Sequence, residues 1–331
     1  METVVSGVRP TGRLHLGNYF GAVKNFVKLQ ESYKTFFFIA DYHSLTTHPK
    51  SGELKQNVSY VLSEYLACGL DPEKTVLYLQ SDIPEIAELY LIFNMIAYKG
   101  ELERCTTYKD KVSKQQENIN AGLLTYPVLM AIDIIIHKAN KVPVGKDQIQ
   151  HLEMTRNFVK RFHHLYNCEV FPEPQAFNFS EELVKVPGLD GSGKMGKSEG
   201  PGNAIYLVED PGSIKKKVMR AVTDAGPTEP DSPLSEPIKN IFDIMSLVSD
   251  ESTKTHFINA YKDCSIRYGD LKKQLAEDII NFTNPIRQRI TDIQNDKENL
   301  QKILKQGQEK ARESASKTLK EVKETIGIGS I

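Results

Sequence analysis

Two short segments far apart in the chain carry residues suited to handling a polyphosphate, and a third carries a carboxylate inside an apolar run. Gly191 to Ser198 reads G-x-x-x-x-G-K-S, the pattern in which backbone N–H groups cradle phosphates ahead of a helix. Here Lys197 and Ser198 are followed by Glu199, Gly200, Pro201 and Gly202, which put a helix breaker and two glycines where the first turns must propagate. The spacing predicts a loop that presents Lys194, Lys197 and Ser198 to phosphate, fit for charge that develops on a leaving pyrophosphate. Near the N-terminus, Val4 and Val5 give way to Arg9, Pro10, Thr11 and Gly12, then to His15, Leu16, Gly17 and Asn18 at the start of a helix. His15 and Asn18 are short donors close to a positive helix terminus, and Gly17 leaves room for a base to lie on the backbone. Alone, that quartet is equally a capped helix with a surface histidine; the lysine loop about 180 residues later gives it weight. From Tyr126 to His137 the chain is almost wholly apolar except for Asp133. A carboxylate there is costly unless something satisfies it, and on these residues alone a ligand and a structural partner explain it equally well.

The elements that must position these groups follow a strand–helix rhythm. Apolar runs at Val4–Val5, Phe36–Ile39, Val76–Leu79 and Val142–Val144 read as strands buried on both faces, separated by helical patterns near 18–32, 52–68, 85–98, 120–139 and 147–166. That is the signature of a parallel sheet wrapped by helices, with ligands at the carboxyl ends of the strands. The expected fold class is therefore α/β, a Rossmann-type doubly wound parallel sheet followed by a smaller all-helical domain. We divide the chain into a catalytic domain over 1–190, a loop over 191–200 and a helical domain over 201–331 whose last helix could pack back on the first. From Lys302 to Glu324 seven basic residues stand against four acidic ones; a solvated surface helix is the plain reading of such a run.

Composition narrows the function classes. The chain has 331 residues, 40% of them hydrophobic, and 42 basic against 43 acidic residues for a net charge of −1. A nucleic-acid partner must therefore be held by a local basic face, because the whole-molecule field offers it little. The four cysteines, Cys68, Cys105, Cys168 and Cys264, form no C-x-x-C pair, which indicates neither a disulfide framework nor a zinc site and fits a reducing, cytoplasmic setting. No basic leader with an apolar stretch and no long apolar window is present, so no membrane association is expected.

His15–Asn18 resembles the HIGH signature, and Lys194–Ser198 the KMSKS signature, of class I aminoacyl-tRNA synthetases. Gly7–Gly12, Gly100–Arg104, Leu123–Pro127 with Met130–Asp133, Gly145–Gln148, Ala221–Asp224, Tyr268–Gly269 with Leu275–Ala276, Pro285–Arg287 and Gly307–Leu319 extend the resemblance over nearly the whole chain. Together they are similar to the bacterial-type tryptophanyl family.

The resemblance implies ATP, carried as its Mg²⁺ complex, and no tightly bound protein-ligated metal. It implies L-tryptophan and tRNA(Trp) as further substrates, and a homodimer. His15, Asn18, Lys111, Lys194 and Lys197 would serve the reacting phosphates. Arg9, Pro10, Thr11, Gly17, Tyr19, Gly145, Lys146, Asp147, Val186, Met195, Gly196 and Ser198 would complete the nucleotide site. Asp133 would accept the indole N–H, with Val5, Gly7, His43, Tyr126, Met130 and Gln148 around the amino acid. A buried acceptor left unpaired by phenylalanine would discriminate by roughly 10⁴ to 10⁵. Three positions depart from the family pattern. Val5 stands where relatives often have Phe, so an aromatic wall is missing or comes from elsewhere. Arg9 replaces a common Gln and adds a permanent charge. Gly196 replaces a Ser, which loosens the loop. A tyrosyl enzyme, a catalytically inactive RNA-binding relative and a P-loop NTPase are the competing readings.

Overall fold

The computed structural model describes residues 1–114, 119–145, 148–177, 185–191, 193–196, 200 and 202–329. The strands are β1 (Thr3–Val8), β2 (Lys34–Ile39), β3 (Thr75–Leu79), β4 (Lys141–Pro143) and β5 (Gln175–Phe177). The first helices are α1 (Leu16–Asn18), α2 (Lys24–Leu29), α3 (Asp41–Ser44), α4 (Ser51–Ala67) and α5 (Pro84–Asn94). Then come α6 (Lys99–Glu103), α7 (Thr106–Lys114), α8 (Ala121–Ile135) and α9 (Ile149–Tyr166). The C-terminal set is α10 (Pro211–Met219), α11 (Glu236–Val248), α12 (Glu251–Lys262), α13 (Tyr268–Asn295) and α14 (Lys297–Ile326). Each of the four expected strands and five expected helices of the first half has its counterpart. The pattern missed β5, α3, α6 and α7, which are too short to show a period.

Among the described residues the strands form one parallel sheet in the order β3-β2-β1-β4-β5. The chain first builds outward from β1 to β3, then returns to β1's other side with β4. A crevice opens where the two directions diverge, outside the carboxyl ends of β1 and β4.

Alternation along the strands divides the core into two layers. Val4, Phe37, Ile39 and Leu77 pack with Val61, Leu62 and Tyr65 of α4 and with Leu275, Ile279 and Ile286 of α13. Val5, Phe36, Phe38 and Tyr78 pack on the opposite face with α5, α8 and α9. The same face also takes Ala311, Ala315, Leu319 and Val322 of α14, so the last helix lies against the sheet.

Two features fix that helix. Gly307 runs so close to β3 that an added Cβ would stand 1.7 Å from the Leu77 carbonyl oxygen. Gly307→Ala should therefore push α14 off β3 and cost about 3 kcal/mol, read as a lower urea midpoint at unchanged activity per folded molecule. Farther along, His137, just beyond α8, is buried and stacks on Phe36 with ring centroids 4.1 Å apart. Its Nε2 meets the Tyr78 hydroxyl at 2.9 Å and its Nδ1 the Ser314 hydroxyl at 3.1 Å. Burial, aided by the charge of Lys34, pushes its pKa down to about 3. An unfolded His137 takes a proton near pH 6.5, whereas the folded one does not, so its contribution to stability is lost as pH falls from that value toward 3. At pH 4 the loss is about 3 kcal/mol. In His137→Gln, the dependence of unfolding free energy on pH between 6 and 4 should flatten by about 1.4 kcal/mol per unit.

The basic side chains of α14 divide along its length. Arg312 and Lys323 reach Glu85 and Glu88 of α5 at 3.4 and 2.7 Å, while Lys317 pairs with Glu313 one turn away at 2.6 Å and Lys320 with Glu324 at 3.8 Å. Lys302, Lys305 and Lys310, in the first half, are exposed. Half the run therefore serves the helix itself and its docking.

Candidate active site

A cavity of about 370 Å³ opens at the switch point of the sheet. The end of β1 gives it Val5, Gly7 and Arg9; β2 and α3 give Phe38 and His43; β4 and the residue after next give Val142, Pro143 and Gly145. From the helices come Lys111 of α7, Tyr126, Met130 and Asp133 of α8, and His151 of α9, with Gln148 at the foot of α9. Ten residues singled out in the sequence thus share one wall system: Val5, Gly7, Arg9, His43, Lys111, Tyr126, Met130, Asp133, Gly145 and Gln148. A space of this size, mostly apolar with a few directed polar groups, suits a small aromatic ligand with a polar end.

Asp133 is 1% exposed and both its oxygens take hydrogen bonds. Its Oδ1 accepts from Gln80 Nε2 at 2.7 Å, and its Oδ2 meets His43 Nε2 at 2.8 Å. Burial raises its pKa, while the bonds from His43 and Gln80 pull it back and Asp41 nearby adds to the rise. An acceptor in an apolar wall, already aimed by two donors, is fit to take an N–H from a ligand. The aromatic wall that Val5 lacks is supplied by Phe38, whose ring lies on Gly7: a Cβ there would come within 2.5 Å of it. That requirement explains Gly7 by close approach.

At the other end of the cavity the Tyr126 hydroxyl meets His151 Nε2 at 2.6 Å, and Cys105 Sγ lies 3.7 Å from the same nitrogen. Lys111 Nζ sits 3.8 Å from the centroid of the Tyr126 ring, a cation–π contact. Burial lowers the Lys111 pKa, and repulsion from Arg9 lowers it further. The cavity's polar end is therefore rich in positive charge held partly out of water.

A second cluster forms where α1 begins. His15 is buried, and its backbone N–H donates to Asn18 Oδ1 at 3.1 Å, closing the helix start. The backbone of 205–207 clamps this segment: Leu16 N–H donates to the Ile205 carbonyl at 3.0 Å and Leu207 N–H to the Leu14 carbonyl at 3.0 Å. Directly after Asn18 the chain makes a π-helical turn, Tyr19–Val23, a device frequent at functional sites. Met195 is buried beside this turn, 3.5 Å from where a Cβ on Gly17 would sit, and its N–H donates to the Val186 carbonyl at 2.8 Å. The Gly196 N–H donates to Asn203 Oδ1 at 2.8 Å, and Asn203 in turn donates to Asp190 Oδ1 at 2.6 Å. So Met195 and Gly196 tie the loop down while Lys194 is exposed. His15, Gly17, Asn18, Tyr19, Val186, Met195 and Gly196 thereby gather in this second cluster, none of them among the residues that line the cavity. Pro10 and Thr11 lie on the link between the two, and the Thr11 N–H donates to the Arg9 carbonyl at 2.8 Å. The expectations for Lys146, Asp147, Lys197 and Ser198 fall outside the described residues.

Sequence reasoning missed Gln80, Phe38 and His151. Gln80 and Phe38 could have been found by position, since each lies at or just past the carboxyl end of a buried strand, where ligands bind in such sheets. His151 had no such cue.

Comparison with known proteins gives consistent matches. The profile of the class I tRNA synthetases (W and Y) matches residues 2–284. The tryptophan–tRNA ligase of Porphyromonas gingivalis is 59% identical over 328 residues, which cover 99% of this chain and 100% of the relative. That of Rickettsia conorii is 43% identical over 330 residues, 99% of both chains. Among solved structures, tryptophanyl-tRNA synthetase from Campylobacter jejuni complexed with ADP and tryptophan superposes with a TM-score of 0.88 at 38% identity, covering 98% of this chain and 100% of that one.

Proposed function

The chain belongs to the bacterial-type tryptophanyl-tRNA synthetases of class I, and from that premise we propose that it activates L-tryptophan with ATP and transfers it to tRNA(Trp). The observation that carries the amino-acid reading is Asp133, a buried carboxylate on the mostly apolar wall of the cavity, aimed by two N–H donors. In the first step the tryptophan carboxylate, ionised at neutral pH, attacks the α-phosphate of MgATP. A new C–O–P linkage forms, the α–β phosphoanhydride bond breaks, and pyrophosphate leaves with the electron pair. Because the nucleophile is already an anion, the step needs no general base, and catalysis is positioning plus stabilisation of charge. In the second step the 2′-hydroxyl of the terminal adenosine attacks the mixed anhydride, giving tryptophanyl-tRNA and AMP.

The roles divide between the two clusters. Tyr126 and Gln148 face the ammonium group, and Met130, Phe38, Val5 and His43 enclose the ring beside Asp133. Lys111, at the polar end, faces the phosphates with Arg9. His15 and Asn18 hold phosphate oxygens beside the start of α1, Gly17 keeps the path to the base open, and Lys194 with Lys197 and Ser198 takes the pyrophosphate. Gly145, Lys146, Asp147 and Val186 serve ribose and adenine. In this reading Mg²⁺ arrives on the triphosphate as part of the substrate.

Residues 201–331 take the tRNA, with Lys302, Lys305 and Lys310 as the cations of α14 still open to a phosphate backbone. The working unit is a homodimer. Its support is an apolar face beside the cavity, where Leu91, Met95 and Tyr98 are more than half exposed and a groove lined by Tyr42, Leu45, Ala87, Tyr90 and Leu129 shares Tyr126 with the tryptophan pocket. Among the described residues no helix is long and apolar enough to cross a membrane.

The test is charging of a tRNA(Trp) transcript with radiolabelled tryptophan. Acid-stable esterification of the 3′ end is expected. Tight tRNA binding without esterification and without adenylate would instead favour the inactive RNA-binding reading.

A further inference from the structure

We infer that Gln80 is a positioning residue for amino-acid selection, its side-chain amide holding the Asp133 carboxylate in the one orientation that receives the indole N–H. The inference rests on the proposed activation of tryptophan and names the group that gives its specificity determinant a fixed geometry.

Gln80 follows β3 directly and is fully buried. The two ends of its amide have different partners: Nε2 donates to Asp133 Oδ1 at 2.7 Å, and Oε1 accepts from the His43 backbone N–H at 3.4 Å. A backbone N–H can only donate, so turning the amide end for end would face donor against donor at one side and acceptor against acceptor at the other. Its orientation is thereby determined, and with it the donor seen by Asp133. His43 Nε2 supplies the second donor, to Oδ2 at 2.8 Å. Between two N–H groups the carboxylate is kept as an acceptor, with a remaining lone pair toward the cavity. Indole N–H can only donate, which matches; a ring without a donor leaves that lone pair unmet. The titratable groups around the amide are Asp133 on α8, His43 and Asp41 on α3, Tyr78 on β3 and Asp82 two residues on.

The experiment is ATP–pyrophosphate exchange with wild type, Gln80→Met and Gln80→Glu, using tryptophan and 3-(benzothiophen-3-yl)alanine, in which sulfur replaces N–H. Wild type should prefer tryptophan. Gln80→Met should raise KM for tryptophan about ten- to a hundred-fold, change kcat and KM for ATP by less than about threefold, and narrow the preference about tenfold. Gln80→Glu can donate to Asp133 only while it holds a proton, so its tryptophan kcat/KM should approach wild type near pH 6 and fall away toward pH 9, where wild type does not. A Gln80→Met enzyme with wild-type KM and preference, or a Gln80→Glu profile parallel to wild type, overturns the role. Should Gln80→Met not fold, the Gln80→Glu profile decides. Absence of tryptophan exchange in wild type would fail the proposed function instead, and so is distinguishable.

Discussion

Asp133→Ala lowers kcat/KM for tryptophan-dependent ATP–pyrophosphate exchange by at least about 10²-fold, chiefly through KM, and leaves the protein folded. The loss follows from removing the charged acceptor of a buried hydrogen bond, a change of about 1.5 to 3 kcal/mol for the bond itself and more where desolvation is included. Selectivity falls with it: discrimination against phenylalanine, which has no N–H and so leaves the acceptor unmet, should shrink by the same factor. Stability moves little, because ionised Asp133 is a cost to the fold. Its pKa is raised by burial, so the stability it contributes is greatest when it is protonated and is lost as pH rises through that raised value. The chain contains no Trp, so indole emission excited at long wavelength comes from the ligand alone, and titration of that emission reads the binding loss directly. An unchanged kcat/KM would take Asp133 out of the pocket.

Lys194→Ala lowers kcat for the same exchange by about 10²- to 10³-fold while KM for tryptophan changes by less than about threefold. Lys194 is exposed on a segment whose neighbours Met195 and Gly196 are anchored by the Val186 carbonyl and Asn203. A cation exposed in that setting is placed to meet charge that develops on the leaving pyrophosphate, which is stabilisation of the transition state more than of the ground state. The Lys194→Arg variant keeps the charge and should recover part of the rate. Equal losses in kcat and in tryptophan affinity would assign Lys194 to the amino-acid pocket or to the fold.

The chemistry-bearing residues were more legible in the sequence than the groups that hold them. Val4–Val5, Phe36–Ile39 and Val76–Leu79 read as strands because a parallel sheet buries both faces, whereas their order, β3-β2-β1-β4-β5, is not contained in that pattern. His15, Gly17 and Asn18 were marked by their place after the first strand, and Asp133 by being polar in an apolar run. Gln80 carried no such contrast: a glutamine at a strand end is ordinary until its two partners, 37 and 53 residues away in sequence, are known. Phe38 lay hidden inside a run whose neighbours are equally aromatic, and only the 2.5 Å approach to Gly7 distinguishes it. The division of α14 into a docked half and an exposed half was likewise invisible, since Arg312 and Lys323 differ from Lys302 and Lys305 only in what α5 places opposite them.

The central claim is tested most directly by ATP–pyrophosphate exchange on the purified protein with tryptophan and tyrosine side by side. Exchange that depends on tryptophan and exceeds that with tyrosine by orders of magnitude is the expected result. Exchange with tyrosine in preference to tryptophan, or with neither, would contradict it.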